Sequence, residues 1–431
     1  MTRRDGAHGG SPRARSGPDR DAAEDWNARQ DRLAARAVAL GAGHSPEIGR
    51  RLAAAGMSIG DVTGVADLSA IPVLAKDDLP ALQAADPPFG GMLAVAAGAL
   101  ARIYRSPGPI NDPQGAGDDF WRFAPALRAA GFRPGDVVLN SFSYHLTPGG
   151  LMLDGGLRAA GCVVIPGGVA ATTAQIEAAR AAGATGYTGT PQFLLTLLER
   201  AAESGGPGGP PGFERALVTG APLPPSLRAR LQDDFSVDVY QAYAAADTGL
   251  LGYECAGKDG WHVAPGVVVE VLAPGDDRPA AEGEAGQVVV TSPNQVYPLV
   301  RFGTGDLSAW NRAPCPCGRP GPRLAGFLGR VGEGVKVKGM FVHPRELAAA
   351  LGSNPAVARY QAVVTDEGAR DVFTVRVEPA PGAVVDESEL TASIREAVKI
   401  RPVVEVVPTG TIPDDPRPLV DAREDERRGR R

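Results

Sequence analysis

Between residues 118 and 245 one unit recurs: an amphipathic helical stretch, a glycine turn, then a short apolar run. DDFWRFAPALRAAGF (118–132) leads into RPGDVVLNSF, and LRAAGCVVIPGG repeats the order. TTAQIEAARAAGATGYTGTPQFLLTLLERAAESG and RALVTGAPLPPSLRARLQDDFSVDVYQAY continue it. Short strands that lack polar alternation are buried on both faces, and helices between them serve as crossovers. The pattern therefore predicts a mostly parallel, layered α/β sheet. Ligands of such sheets bind in the loops past the carboxyl ends of the strands. GGPGGPPG (205–212) reads as a surface loop.

The flanks differ. Alanine-rich spacing predicts helices from Trp26 to about Ala55, and SAIPVLAKDDLPAL reads as a strand or loop with a helix start at Lys-Asp-Asp. After about residue 262, VVVEVLAP, GEAGQVVVTSP and VYPLVRFGTGDLSAW alternate with Gly/Pro/Asp turns, a pattern of antiparallel strands. From Gly329 the chain reads as a separate α+β module: strand, turn and helix in VKVKGMFVHPRELAAALG, a hairpin from RYQAVVTDEG and DVFTVRVEP, a helix in ESELTASIREAVKI, and a closing strand VVEVVP. The expected division is a disordered tail over 1–25, a large domain over 26–328, a small domain over 329–423 and a charged tail over 424–431.

Composition narrows the function classes. Net charge is 44 − 50 = −6 and no extended basic face precedes the last residues, so nucleic acid is not an expected partner. No apolar run reaches membrane-spanning length, and the first residues lack the apolar core of a signal peptide. Four cysteines fit a reducing cytoplasm, with Cys162 as a small core residue. The other three cluster with a histidine: Cys255 and His262 in CAGKDGWH, Cys315 and Cys317 in CPCG. Three thiolates and one imidazole would complete a closed tetrahedral Zn2+ shell across 255–317, structural rather than hydrolytic. The alternative is four buried or loop residues with no metal, although Cys-Pro-Cys in a polar, Gly/Pro-rich loop makes poor hydrophobic filler. The sequence carries no signal of oligomeric state.

IPVLAKDDLPAL, RPGDVVLNSFSYHLTPGGL, GCVVIPGG, TGTPQFLLTLLERAAESG, PLVRFGTGDLSAW, CPCGR and LGRVGEGVKVKGMFVHPREL occur in one order. In that order they resemble segments of the phenylacetate–CoA ligases. The chain, from Trp26 to Arg423, is similar to a diverged member of that family within the adenylate-forming, AMP-binding superfamily. The resemblance implies a large α/β adenylate-forming domain followed by a small mobile α+β domain. It also implies a ligase that joins a small-molecule carboxylic acid, expected to be aromatic, to ATP as an acyl-AMP and then to coenzyme A. ATP, Mg2+ and coenzyme A are the implied cofactors.

The resemblance also assigns residues. Asp306 in FGTGDL would accept the ribose hydroxyls, and Arg330 in LGR would reach the ribose or phosphate. VTGAPL would line the adenine, with Gly220 permitting close approach and Ala221 and Pro222 packing near it. In YAAADTGL, Tyr243 would stack beside adenine and Asp247 would hold Mg2+ near the α-phosphate, a hard oxygen ligand for a hard cation. Plainer roles compete with these: a turn aspartate, a surface arginine, a strand-end aromatic and a helix N-cap. Residues 331–336 (VGEGVK) would form the hinge. Phe142, Tyr144 and His145 are the candidate acyl-pocket segment.

Two departures stand against efficient adenylation. The phosphate loop of the family corresponds to YRSPGPINDPQ (104–114), where Ser106 and Gly108 remain but the threonine pair and the lysine are absent. Proline also removes backbone donors there. TIPDDPRPLVDAR offers Arg417 where the family carries a catalytic lysine, and no lysine follows Lys399. An arginine brings charge but not the geometry of an ammonium. Two alternatives stay open: a homologue that binds nucleotide or a partner without adenylating, and adenylyl transfer to another acceptor such as a deazaflavin, as in the F390 synthetases.

Overall fold

The structure, a computed structural model, describes residues 25–106, 109–203, 211–273, 277–331, 334–337, 340–352, 354–367, 370–413 and 417–423. Both expected tails except Asp25, most of the expected loop at 205–212, Gly108 and residues 332–333 of the expected hinge therefore lie outside the described residues.

The recurring helix–strand unit forms the parallel half of a nine-stranded sheet. Strands Val163–Pro166, Val137–Asn140, Gly186–Gly189, Arg215–Val218 and Asp238–Ala245 lie side by side in that order, all parallel. Alternation places neighbours in different cores. Val138 and Leu217 join one cluster with Phe123, Leu127 and Leu153, whereas Leu139 and Val218 join another with Ile176, Leu194 and Leu197. Helices Gly149–Ala159, Thr172–Ala181, Pro191–Glu203 and Pro225–Asp233 supply the crossovers. The sheet then turns antiparallel through Gly249–Tyr253, Trp261–Val263, Arg323–Leu324 and Trp310–Asn311.

A helix over 118–132 is found only at Ala124–Ala129. Pro125 must sit in the first turn. The Asp119 carboxylate accepts from the backbone N–H groups of Phe123 and Ala124, so the chain before it is a capping turn. Cys162 is buried just before its strand, as core.

A second sheet carries the predicted antiparallel strands Val268–Leu272, Gly286–Ser292 and Leu299–Ser308, with Leu74–Ala75 and Gly329–Arg330 on its flank. Helices Trp26–His44 and Pro46–Ala54 pack on it through Val38, Ile48 and Leu52 against Val268 and Val300. The C-terminal module is a four-stranded sheet. Val357–Glu367 and Arg370–Pro379 form its central hairpin, Val403–Val406 flanks one side, and Leu419–Asp421 flanks the other. Helices Pro344–Leu351 and Glu387–Val398 cover one face. Among the described residues no helix is long and apolar enough to cross a membrane.

Candidate active site

At the carboxyl ends of the parallel strands lies a cavity of about 210 Å³. Phe123, Phe142, Pro148, Met152 and Leu153 give it an apolar wall; Gly220 and Ala244–Ala246 complete the rim, with the hydroxyls of Ser106 and Thr219 as its polar side chains. Gly220 has φ +74°, and a Cβ there would stand 3.3 Å from the Phe142 ring, so glycine suits both the backbone and the close approach. Ala221 and Pro222 follow on the same turn, half-buried and exposed respectively, with their carbonyls accepting from Gln241 and Gln192. Of the acyl-pocket segment, Phe142 lines the cavity. The Tyr144 hydroxyl instead accepts from Asn140 and donates to Asp154, and His145 is exposed.

Tyr243, Asp306 and Arg330 meet. The strand ending at Ala245 carries Tyr243, whose hydroxyl donates to Asp306 Oδ2 at 2.9 Å and lies 3.2 Å from Thr304. Arg330 is paired in register with Asp306, and its Nε donates to Oδ1 at 3.2 Å. Burial, reinforced by the Asp306 charge, holds the Tyr243 phenol well above its ordinary pKa, so it stays a hydrogen-bond donor. Its ring stacks on Trp261, centroids 5.1 Å apart and planes 16° apart. Sequence reasoning assigned the stacking partner of Tyr243 to adenine; within the chain it is this indole.

Asp247 lies in the turn between Asp238–Ala245 and Gly249–Tyr253, and no helix follows, so the helix N-cap role does not apply. Its side chain is fully buried. Oδ2 accepts from Lys76 Nζ at 2.6 Å, and Oδ1 has no partner. Lys76 comes from the short helical turn after Leu74–Ala75, the Lys-Asp-Asp start seen in the sequence. Asp112 stands beside Asp247 and Ser106, 1% exposed. Burial, then the Asp247 charge, pushes its carboxyl up to about 8. The fully buried Tyr297 phenol faces the same two acids. Lys76, Asp112 and Tyr297 escaped the sequence reading because they reach Asp247 from three distant segments, with no local spacing to betray them.

The expected phosphate loop is a hairpin of Arg102–Ser106 with Ile110–Gln114. Ser106 Oγ donates to the Ile110 carbonyl at 3.5 Å, between the facing ends of the two strands. Arg417 is exposed on the approach to Leu419–Asp421.

The cysteine–histidine set does converge. Cys255, His262, Cys315 and Cys317 place one ligand atom each within 4.8 Å of one another. Cys255 and Cys315 sulfurs are 3.6 Å apart, and Cys317 Sγ is 3.3 Å from His262 Nε2. Burial, helped by Arg319 and Arg323, lowers the His262 pKa to about 4, keeping the imidazole neutral as a ligand must be. Burial opposes ionisation of Cys317, but donors from Arg319 outweigh it and bring the thiol to about 7. Cys255 accepts one backbone N–H, from Gly257, but burial outweighs it and raises the thiol to about 11. The donor set fits zinc.

Residues 119–298 match the AMP-binding enzyme family and residues 339–418 the AMP-binding enzyme C-terminal domain. A phenylacetate-coenzyme A ligase of Thermus thermophilus is 30% identical over 368 residues, 82% of each chain. The chain belongs to the phenylacetate–CoA ligase family of adenylate-forming enzymes. A second ligase of that name, from Aromatoleum evansii, is 28% identical over 357 residues, 79% of this chain and 78% of the relative. Among solved structures, the open conformation of 2-hydroxyisobutyryl-CoA ligase with 2-HIB-AMP and CoA superposes with a TM-score of 0.82 at 23% identity, over 91% of each chain, a likeness of fold. The large N-terminal domain and smaller C-terminal domain expected from the sequence are those of this fold. Enzymes of this family use ATP, Mg2+ and coenzyme A on small carboxylic acids.

Proposed function

We propose that the protein condenses a small aromatic carboxylic acid with ATP to an acyl-adenylate and then transfers the acyl group to coenzyme A. The supporting observation is the meeting of Tyr243, Asp306 and Arg330, together with an apolar cavity lined by Ala244–Ala246, the residues that follow Tyr243. Asp306 presents a carboxylate suited to ribose hydroxyls, and Arg330 a cation suited to phosphate. A dry cavity of about 150 Å³ accepts benzene, so about 210 Å³ accommodates a phenyl ring with its side chain. The acid's carboxylate would then face the Ser106 and Ala246 rim, where it must attack the α-phosphorus.

Asp247 offers a buried, unpartnered hard oxygen, which fits a Mg2+ ion. Bound there, the ion would neutralise phosphate charge. With no lysine in the phosphate turn, Lys76 brings the nearest ammonium to this acid. Zinc held by Cys255, His262, Cys315 and Cys317 would brace the strand next to Tyr243 and take no part in the chemistry.

A second reading, nucleotide binding without adenylation, is favoured by the phosphate turn that lacks its threonines and lysine. ATP–pyrophosphate exchange across a panel of acids decides between them. Exchange with phenylacetate- or benzoate-sized acids supports the ligase. Nucleotide binding with no exchange for any acid supports the second reading.

A further inference from the structure

We propose that Asp112 is a second carboxylate ligand to the divalent cation held by Asp247, supplied by this chain from the strand that leaves its altered phosphate turn. The inference rests on the adenylation reading, which puts a cation at Asp247.

Asp112 lies on Ile110–Gln114, 1% exposed, and its carboxylate oxygens are left without a partner beyond the neighbouring Ser106 side chain and a proton that it can share with Asp247. Asp247 beside it contributes a third buried oxygen, Oδ1, without a partner. The buried Tyr297 hydroxyl, near both acids, also lacks one. Buried polar groups are almost always paired, and a cluster of exceptions calls for a missing partner. Lys76 is the cation present, and its ammonium satisfies one oxygen of Asp247. With one ammonium against two acids, Asp112 keeps its proton in the metal-free chain, and the cluster lacks the charge and contacts to ionise both. A hard divalent cation supplies both, because it takes several oxygen ligands at once.

The position of Asp112 adds a reason. The phosphate turn of this chain lacks the hydroxyl pair that its relatives carry, and Asp112 follows the same turn by six residues from Ser106. A carboxylate on the outgoing strand would replace lost oxygen donors with a charged one. Four separate segments thus converge on one place: the Lys76 turn, the outgoing hairpin strand, the Asp247 turn and the approach to Leu299–Ser308. The competing account makes Asp112 a neutral acid that only donates a hydrogen bond to Asp247. Asparagine separates the two, since it keeps a donor and the shape but loses the anionic ligand.

The test is titration of the full chain with Mn2+ at saturating α,β-methylene-ATP, reading free Mn2+ by electron paramagnetic resonance. Asp112→Asn is expected to weaken Mn2+ binding by at least about tenfold. Wild-type Mn2+ affinity in Asp112→Asn, with loss in Asp247→Asn, would overturn the proposal and leave the adenylation reading standing. Wild-type affinity in both variants would remove the cation from Asp247 and overturn both. If the Asn variant does not fold, Asp112→Cys keeps the test decisive. A thiolate ligand shifts preference from Mn2+ toward Cd2+, and an unchanged Cd2+/Mn2+ ratio would count against Asp112 as a ligand.

Discussion

Asp306 accepts hydrogen bonds from both Tyr243 and Arg330, so removing it is felt twice. Asp306→Ala is expected to abolish nucleotide binding in calorimetry while the far-ultraviolet dichroism stays native. Leaving the Tyr243 phenol with Thr304 as its remaining partner costs about 1–3 kcal/mol, visible as a lower denaturation midpoint. Asp112 makes the opposite kind of contribution. Its folded pKa of about 8 lies above the ordinary 3.8, so between those values the unfolded chain releases a proton that the folded chain keeps. Stability falls as pH rises through that window. Asp112→Asn removes the dependence, and its stability relative to wild type, measured without metal, should climb from pH 4 to pH 8 and then level. A difference that is flat with pH would refute this. At this scale the residues inside motifs were legible: Asp306, Arg330, Tyr243 and Asp247 could be picked from short strings. Lys76 was quoted in the sequence only as a helix start, and Asp112 as part of a damaged loop. The ion pair between Lys76 and Asp247 spans 171 positions, and no one-dimensional spacing encodes it.

The elements that the sequence made plain are those with local causes. The parallel strands, the antiparallel run after residue 262 and the hairpin of the small module all follow from burial period and turn residues. What stayed hidden depends on distant partners. Leu419–Asp421 is three residues long and is a strand because it pairs in parallel with Val357–Glu367. The helix expected over 118–132 shrank because one proline fixes where its first turn begins. The cysteine–histidine set is an intermediate case: its residue types were legible, whereas their meeting depends on the strand Trp261–Val263 pairing with both Gly249–Tyr253 and Arg323–Leu324. Purified protein is expected to hold about one zinc per chain, checked by elemental analysis. Cys317→Ala, or chelation, should lower the melting temperature, and metal-free protein with an unchanged melting curve would rule out the bracing role.

Across the whole molecule, the small module joins the large one through a short stretch where Gly334 lies against His343. A Cβ on Gly334 would fall 2.5 Å from the His343 ring, and the ring is buried ahead of Pro344–Leu351. Gly334→Ala must therefore displace the histidine or the chain. If the segment is a hinge between the two half-reactions, this variant should slow thioester formation more than ATP–pyrophosphate exchange. Equal loss in both assays would show that the segment does not serve the second step alone. The overall architecture, a layered domain followed by an α+β module, was legible from periodicity, and the family from ordered motifs. The choice of acid was not, because the walls of the cavity come from strand ends, a helix and loops scattered between residues 106 and 246.

The indole of Trp261 touches both halves of this arrangement. One neighbour in its strand is His262, and its face covers the Tyr243 ring. Its emission should thus act as a built-in optical reporter. Adding nucleotide or stripping metal would each change its intensity, and a Trp261→Phe subtraction would isolate the signal from Trp26, Trp121 and Trp310. Ligand screening could then proceed without labels, before any substrate is known.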